Sequence, residues 1–258
     1  MFKKIYYINL EHRTDRNENV ENQLKKINFN GPIERINAAY GKNLDLKLIP
    51  NNLFTKESIQ STTNKNDIGN CRTMTKGGMG VSISQKWIYE KILCGTEDYA
   101  LILEDDVTIT DNFITKLEEQ LKNIPEYDIL WIGYHSKVDV SPDIKSNNDY
   151  YDIPVILYGL FGYIINKKAA KRLIEMFPIT NQIDSEIPKI FPELKVYALK
   201  MENRLITSPK SQDASEFGSD IQFSREAFGN IRNNCDNTLF IVISIFVIFI
   251  ILVMYKKN

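Results

Sequence analysis

Apolar runs and polar segments follow one another along the chain in a way that predicts alternating strands and helices. Runs with the length of a buried strand cover 3–9, 33–38, 99–103, 128–133, 196–199 and 205–207, and a longer apolar segment with two glycines covers 154–165. Apolar residues at helical spacing predict helices over 14–28 and 79–93, and Asp111 and Asn166 are predicted N-caps of two more. This alternation is typical of an α/β protein with a largely parallel central sheet flanked by helices on both sides.

Two long segments break this pattern because they are polar. Residues 51–76 are rich in Asn, Thr, Ser and Lys and are too long for an ordinary connection, so we interpret them as a functional loop or a local insertion. Residues 208–236 are predicted to loop over the surface or to form a linker. Trp87 and Trp131 lie on periodic or apolar stretches and are expected in the core rather than as sugar-stacking platforms.

The last apolar run, 239–255, reads LFIVISIFVIFIILVMY and contains no charged residue. As a helix rising about 1.5 Å per residue it is roughly 25 Å long, which is at the short end of what crosses a bilayer. The alternative is a buried core element. We predict a folded domain over 1–221, a linker over 222–238 and a transmembrane helix over 239–255. Since no signal peptide is apparent, we expect a C-terminal tail anchor with the domain facing the cytoplasm.

Composition narrows the class of protein further. Hydrophobic residues make up 43% and charged residues 25% of the chain, and the formal net charge is −1. No global basic field is present, so nucleic acid is not a predicted partner. The three cysteines, Cys71, Cys94 and Cys235, are far apart and form no CxxC pair, which indicates neither a zinc site nor a disulfide framework.

The strongest chemical feature is the acidic triplet Glu104, Asp105 and Asp106, which directly follows a buried strand. Ligands in open α/β sheets gather at the carboxyl ends of strands, and three adjacent carboxylates repel one another unless a cation neutralises them. Their hard oxygen atoms favour Mg²⁺ or Mn²⁺, and strand alternation places Glu104 and Asp106 on the same side as its two ligands. The alternative is an acidic turn that caps the next helix.

Several motifs, in order along the chain, resemble those of glycosyltransferase family 25, which includes lipopolysaccharide-biosynthesis enzymes and collagen galactosyltransferases. They cover most of the first 221 residues. The similar segments are Tyr7–Arg16 (YINLEHRTDR), Ala38–Gly41 (AAYG), Gly77–Ser84 (GGMGVSIS), Ala100–Val107 (ALILEDDV), a strand-then-helix block over 159–173, and Ser219–Ile221 (SDI). Two positions depart from this pattern: Val81 stands where many members have Cys, and Gln85 stands where many have His. These two departures bear on whether the protein is active and on which acceptor it uses.

The resemblance implies a GT-A type fold and a nucleotide-sugar donor, most often a UDP-sugar. It also implies a divalent metal, commonly manganese, that bridges Glu104 and Asp106 to the diphosphate, and an inverting displacement on a glycan, lipid or protein acceptor. On this basis Asp184 is the candidate general base, although a helix N-cap explains it equally well. The remaining expected site residues bind the donor or close the site, and they are Asn9, Arg13, Arg16, Asp105, Ser219 and Asp220.

Three functions are compatible with these features. The first is an active sugar transferase at a membrane surface, supported by the acidic triplet and the Arg-bearing turn after the first strand. The second is a non-catalytic, membrane-anchored nucleotide-sugar binder or adaptor with the same fold, supported by Gln85 and the long polar loop. The third is a nucleotidyltransferase, which we rank last because the chain has no glycine-rich phosphate loop.

Overall fold

The computed structural model describes residues 1–62, 73–135, 149–152 and 159–208. No helix within these ranges is both long enough and apolar enough to cross a membrane. The predicted transmembrane helix over 239–255, the linker before it, and Ser219 and Asp220 all lie outside the described residues.

Nine strands are found in the described ranges, and seven of them form the central sheet. The seven are β1 (Lys4–Asn9), β2 (Ile33–Asn37), β3 (Tyr99–Glu104), β5 (Ile129–Gly133), β6 (Tyr150–Asp152), β7 (Gly162–Asn166) and β8 (Val196–Leu199), in the spatial order β2-β1-β3-β7-β5-β8-β6. The other two strands, β4 (Thr108–Ile109) and β9 (Ile206–Thr207), pair with each other in a small antiparallel sheet.

The central sheet is mixed. β1 is parallel to both β2 and β3, and β5 is parallel to β8. β7 lies between β3 and β5 and is antiparallel to both, and β6 is antiparallel to β8. The predicted α/β class is therefore confirmed, whereas the prediction of a largely parallel sheet holds only for the shared direction of β1, β2, β3, β5 and β8.

Helices cover both faces of the sheet, as predicted. They are α1 (Thr14–Lys26), α2 (Lys56–Ser61), α3 (Lys76–Cys94), α4 (Phe113–Leu121), α5 (Lys167–Glu175) and α6 (Ile183–Glu186). On one face α3, α5 and α6 pack against side chains such as Ile102 and Tyr163, and on the other α1 and α4 pack against Leu101 and Leu103. Because neighbouring positions of a strand point to opposite faces, each central strand contributes to both cores.

The helix caps test two sequence predictions. Asn166 is the N-cap of α5, as predicted, since its side chain accepts a hydrogen bond from the backbone N–H of Ala169 at 2.8 Å. The predicted cap Asp111 is wrong: α4 begins one residue later, after Asn112, whose backbone is in the left-handed region with a φ of 56°. Asparagine adopts this conformation more readily than most residues, which explains the shift.

Candidate active site at the carboxyl edge of the sheet

The predicted site residues of the first and third strands come together because these strands are parallel neighbours. Asn9 ends β1, and Ile8 pairs in register with Glu104 at the end of β3. The turn after β1 leads into α1, which brings Arg13 and Arg16 to the same edge. The segments that carry these candidate residues therefore lie at one edge of the sheet.

Asp105 lies at the centre of a buried hydrogen-bond network. Its Oδ2 accepts from the Asn9 side-chain amide at 2.6 Å, and its Oδ1 accepts from Arg16 Nη1 at 3.1 Å. Asn9 is held in turn by Arg35, whose Nη2 donates to the Asn9 Oδ1 at 2.6 Å. Both carboxylate oxygens of Asp105 are therefore engaged within the protein, and this residue orients Arg16 rather than presenting free oxygen atoms.

The two arginines of the first turn have different surroundings. The guanidinium of Arg13 donates to Asp15 at 3.0 and 2.8 Å on the exposed side of the turn. This contact lowers the pKa of the Asp15 carboxyl to about 2. Arg16 instead points to the acidic triplet, and its Nη1 lies 4.0 Å from Asp106 Oδ2. Of the two predicted phosphate ligands, Arg16 is the one beside the triplet.

The side chains of Glu104 and Asp106 have fewer hydrogen-bond partners among the described residues than that of Asp105. Burial raises the pKa of the Glu104 carboxyl to about 8, and the nearby charges of Asp106 and Asp105 add to the rise. Asp106 is 6% exposed, and its Oδ1 has no hydrogen-bond partner among the described residues. Two close carboxylates with unused oxygen atoms form a negative cluster that a cation would stabilise.

The donor atoms present fit a divalent cation that completes its shell with other ligands. No group of three or more His, Cys, Asp or Glu side chains suited to holding a metal occurs in the described ranges. Mg²⁺, however, usually binds proteins through one or two carboxylates, with water and substrate phosphates supplying the rest. The buried Oδ1 of Asp106, which has no partner among the described residues, lies beside Glu104 and meets that requirement.

A buried polar chain lies behind Glu104, on the face of the sheet that α3 covers. Tyr163 pairs with Ile102 across β7 and β3, so its side chain shares a face with Glu104, two residues further along. The Tyr163 hydroxyl donates to Gln85 Oε1 at 2.6 Å and lies 3.0 Å from the Tyr89 hydroxyl. Gln85 is fully buried, and within the described chain its Nε2 has no partner.

Asp184 lies in the first turn of α6, on the α3 side of the sheet. Burial raises the pKa of its carboxyl, although backbone N–H groups of Ser185 and of Asp184 itself oppose the rise. Its charge also contributes to the raised pKa of Glu104, which places the two carboxyl groups within electrostatic range. The structure identifies Gln182 as the N-cap of α6, so Asp184 is not its cap.

Sequence reasoning missed His135, which follows β5 at the same edge of the sheet. Its ring contacts Phe161 edge-on at a centroid distance of 4.8 Å. Burial lowers the pKa of the His135 ring, and the negative charge of Asp106 opposes this change. Gly159, with a φ of +93°, leaves room for this contact, since a Cβ there would lie 2.9 Å from His135 Cδ2. The position of His135 directly after a buried strand was the available signal.

The chain matches the family model described as glycosyltransferase family 25 (LPS biosynthesis protein) over residues 2–187. It is 23% identical to procollagen galactosyltransferase 1-B from Xenopus laevis over 197 residues, 74% of this chain and 31% of that protein. It is also 22% identical to inactive glycosyltransferase 25 family member 3 from Homo sapiens, over 74% of this chain and 32% of that one. The chain thus spans about a third of the length of these curated relatives.

Among solved structures, the apo form of the glycosyltransferase GlyE from Streptococcus pneumoniae TIGR4 is similar over 84% of this chain and 57% of that one, with a TM-score of 0.47 and 12% identity. The family assignment depends on the match over 2–187, which covers most of the chain and includes the acidic triplet, Arg16 and Asp184. The chain belongs to glycosyltransferase family 25.

Proposed function

We propose that this protein transfers a sugar from a nucleotide-sugar donor to a hydroxyl group of a glycan, lipid or protein. The observation that supports this most directly is the arrangement of charges at the carboxyl edge of the sheet. Arg16 lies beside two carboxylates, Glu104 and Asp106, and Asp106 Oδ1 has no hydrogen-bond partner among the described residues. The half-buried carboxyl of Asp184 lies within electrostatic range. Such an edge suits a diphosphate on one side and an acceptor hydroxyl on the other.

On the donor side, Glu104 and Asp106 are the proposed ligands of Mn²⁺ or Mg²⁺. When bound, the ion would neutralise charge that develops on the departing nucleotide diphosphate. Asp105 contributes indirectly, because it fixes the Arg16 guanidinium, which is suited to contact phosphate oxygens. Asn9 and Arg35 hold Asp105 from behind, so the whole group is preorganised before the donor arrives.

On the acceptor side, Asp184 is the proposed general base. Its carboxylate would take the proton of the acceptor hydroxyl as that oxygen bonds to the anomeric carbon and the bond to the nucleotide diphosphate breaks. This single in-line displacement inverts the anomeric configuration. Partial burial raises the pKa of the Asp184 carboxyl, which makes it a stronger base than an exposed aspartate.

The identity of the donor is proposed from the family, and a UDP-sugar is the first choice. The Xenopus laevis relative is named a procollagen galactosyltransferase, which adds galactose to the sugars to be examined. The direct test is to purify the full chain in detergent, add Mn²⁺, and measure release of nucleotide diphosphate from a panel of nucleotide sugars that includes UDP-galactose and UDP-glucose.

Asp106→Asn is the informative variant for this test, and Asp111→Asn is its matched control because Asp111 is an exposed aspartate five residues away. We expect release from one donor that requires the metal, is lost in Asp106→Asn and is retained in Asp111→Asn. Equal release by both variants would contradict the assignment of the site.

A non-catalytic role is the second candidate, favoured by two observations. One similar relative is named an inactive family member, and Gln85 is buried against Tyr163 rather than exposed to a substrate. Under this alternative the protein binds a nucleotide sugar but releases no diphosphate. Binding measured by isothermal titration calorimetry, together with the release assay, separates the two candidates.

We further propose, from the sequence alone, that residues 239–255 anchor the protein in a membrane with the domain on the cytoplasmic side. The test is fractionation of cells that express the full chain, followed by protease treatment of sealed vesicles. Recovery of the full chain in the soluble fraction would refute the anchor.

A further inference from the structure

The buried polar chain behind Glu104 takes no part in the steps proposed above. Gln85 and Tyr89 lie on α3, one turn apart, and Tyr163 lies on β7. The side chains of Gln85 and Tyr89 are fully enclosed, and Tyr163 is 1% exposed. Burial of polar groups costs free energy unless their hydrogen bonds are made, so a polar chain within an apolar core is informative where one of its ends is open.

The hydrogen bonds of this chain run in one direction. Burial raises the pKa of both tyrosine hydroxyls, so both stay protonated and each has one hydrogen to donate. Tyr163 donates its hydrogen to Gln85 Oε1 at 2.6 Å. The contact of 3.0 Å between the two hydroxyls therefore has Tyr89 as its donor. The chain ends at Gln85 Nε2, which has no hydrogen-bond partner among the described residues.

The Glu104 carboxyl lies on the same face of the sheet as this open end. Tyr163 pairs with Ile102, so Tyr163 and Glu104 are diagonal neighbours on two adjacent strands, with Cβ atoms about 7–8 Å apart and within reach of long side chains. The charge of Glu104 also contributes to the raised pKa of Tyr163. Within the described part of the chain, the Glu104 carboxyl accepts no hydrogen bond. An amide donor and a carboxylate, neither with a partner there, therefore lie on one face of the sheet.

We propose that Gln85 is a positioning residue for Glu104. Its side-chain amide donates a hydrogen bond to the Glu104 carboxylate, directly or through one water molecule, while Tyr163 and Tyr89 hold the amide in place. The inference rests on the proposed function, because it takes Glu104 to be a ligand of Mn²⁺ or Mg²⁺. A carboxylate that is held from behind presents its remaining oxygen to the cation in a fixed orientation. Groups that orient a metal ligand in this way contribute about ten- to a hundredfold to metal affinity.

Binding of Mn²⁺ alone tests this role without requiring catalysis. The full chain in detergent is titrated with Mn²⁺, and the EPR signal of the free ion gives the Kd. Gln85→Leu removes the amide at similar size and is expected to raise the Kd of Mn²⁺ about ten- to a hundredfold. Gln85→His should stay within about threefold of the wild-type Kd, because one imidazole nitrogen can accept from Tyr163 while the other donates to Glu104. Tyr163→Phe leaves the amide unsupported and should raise the Kd by a smaller factor than Gln85→Leu.

Tyr134→Phe is the matched control for Tyr163→Phe. The Tyr134 hydroxyl is also buried and donates to the Leu199 carbonyl at 2.6 Å, at the end of a strand that lies two positions from β3 in the sheet. Both variants lose one buried hydroxyl and should lower the Tm to a similar extent. Only Tyr163→Phe should weaken Mn²⁺ binding, whereas a purely structural role of the polar chain would leave the Kd unchanged in both.

A double-mutant cycle on thermal unfolding of the metal-free protein tests the contact independently of the ion. Gln85→Leu should lower the Tm less in the background of Glu104→Ala than in the wild-type protein, because its partner is then already absent. Equal falls in Tm in the two backgrounds would show that the two side chains do not interact, which overturns the inference.

The outcomes distinguish this inference from the proposed function. Weaker Mn²⁺ binding in Gln85→Leu that Gln85→His restores supports the positioning role, even if no sugar is transferred. An unchanged Kd in Gln85→Leu overturns it, even if the wild-type protein transfers sugar. If Gln85→Leu does not fold, an unchanged Kd in Tyr163→Phe overturns it equally. If the wild-type protein binds no Mn²⁺, the metal assignment of the proposed function fails, and the cycle alone decides whether Gln85 holds Glu104.

Discussion

Asp105 and Asp106 are adjacent carboxylates, yet the structure assigns them opposite roles, and a pair of isosteric substitutions separates these roles. Asp105 accepts hydrogen bonds from Asn9 and Arg16 and is 6% exposed. In Asp105→Asn the amide has one acceptor oxygen for two donors, so its NH₂ group faces a donor. Asp106 has an Oδ1 with no partner in the described ranges, so Asp106→Asn breaks no hydrogen bond at that atom.

These contacts set the expected change in the free energy of unfolding for each substitution. A hydrogen bond to a charged group contributes about 1.5–3 kcal/mol, and Asp105→Asn loses one such bond and leaves Arg16 poorly paired. Burial raises the pKa of the Asp105 carboxyl, so removal of its charge offsets part of the loss. We expect the free energy of unfolding to fall by about 2 kcal/mol. For Asp106→Asn, relief of repulsion from Glu104 should keep the change within about 0.5 kcal/mol.

The assay is urea unfolding at pH 7 with equal m-values confirmed, beside the release of nucleotide diphosphate. Asp105→Asn should lose stability, whereas Asp106→Asn should keep stability and lose metal-dependent activity. A loss of more than about 1.5 kcal/mol in Asp106→Asn, or none in Asp105→Asn, would refute the division of roles within the triplet.

Three further predictions concern other parts of the molecule. Burial alone would raise the pKa of Asp128, but hydrogen bonds from Lys168, the Lys195 backbone and Asn166 lower it. The carboxylate therefore stabilises the fold above its unfolded-state pKa of about 4, and this effect is lost as pH falls through its lower folded-state pKa. Asp128→Asn should flatten the acid side of the plot of unfolding free energy against pH. Gly80→Ala places a Cβ 2.4 Å from a carbonyl oxygen and should cost about 3 kcal/mol in chemical denaturation. Asp184→Asn should lower kcat by about 10²- to 10⁴-fold with little effect on the Kd of the donor, and an unchanged kcat would exclude Asp184 as the base. In the wild-type protein, the fall of kcat at acid pH should occur above the ordinary aspartate pKa, because burial raises the pKa of this carboxyl.

Most strands and helices were predictable because each has a clear apolar pattern, but the short strands β4 and β6 were not predicted. The direction of β7 was not, since an apolar run has the same pattern in a parallel and an antiparallel strand. The short helix α2, at Lys56–Ser61, lies within a segment predicted as a polar loop, because six residues are too few to show helical periodicity. Trp131 is buried as expected, but Trp87 is 42% exposed and its predicted core position is wrong.

The grouping of the candidate site residues was easier to predict than the contacts that they make. The position of the triplet after a buried strand predicted that it lies at the carboxyl edge of the sheet, which is where β3 ends. The engagement of Asp105 by Asn9 and Arg16 depends on contacts between residues almost a hundred positions apart, and no local pattern encodes these contacts. The same is true of Gln85, whose partner Tyr163 belongs to a strand 78 residues later.

The position of β8 in the sheet determines where a truncated form of this protein can end and still fold. β8 lies between β5 and β6, and Lys195, just before it, donates a backbone hydrogen bond to the Asp128 carboxylate. The family match ends at residue 187, before this strand. A polypeptide that stops there would leave β5 as an uncovered edge, with Leu130 and Trp131 no longer enclosed, and such edges promote aggregation. The limit of family similarity is therefore not the limit of the folding unit, and during synthesis the sheet is completed only after residue 199 has left the ribosome.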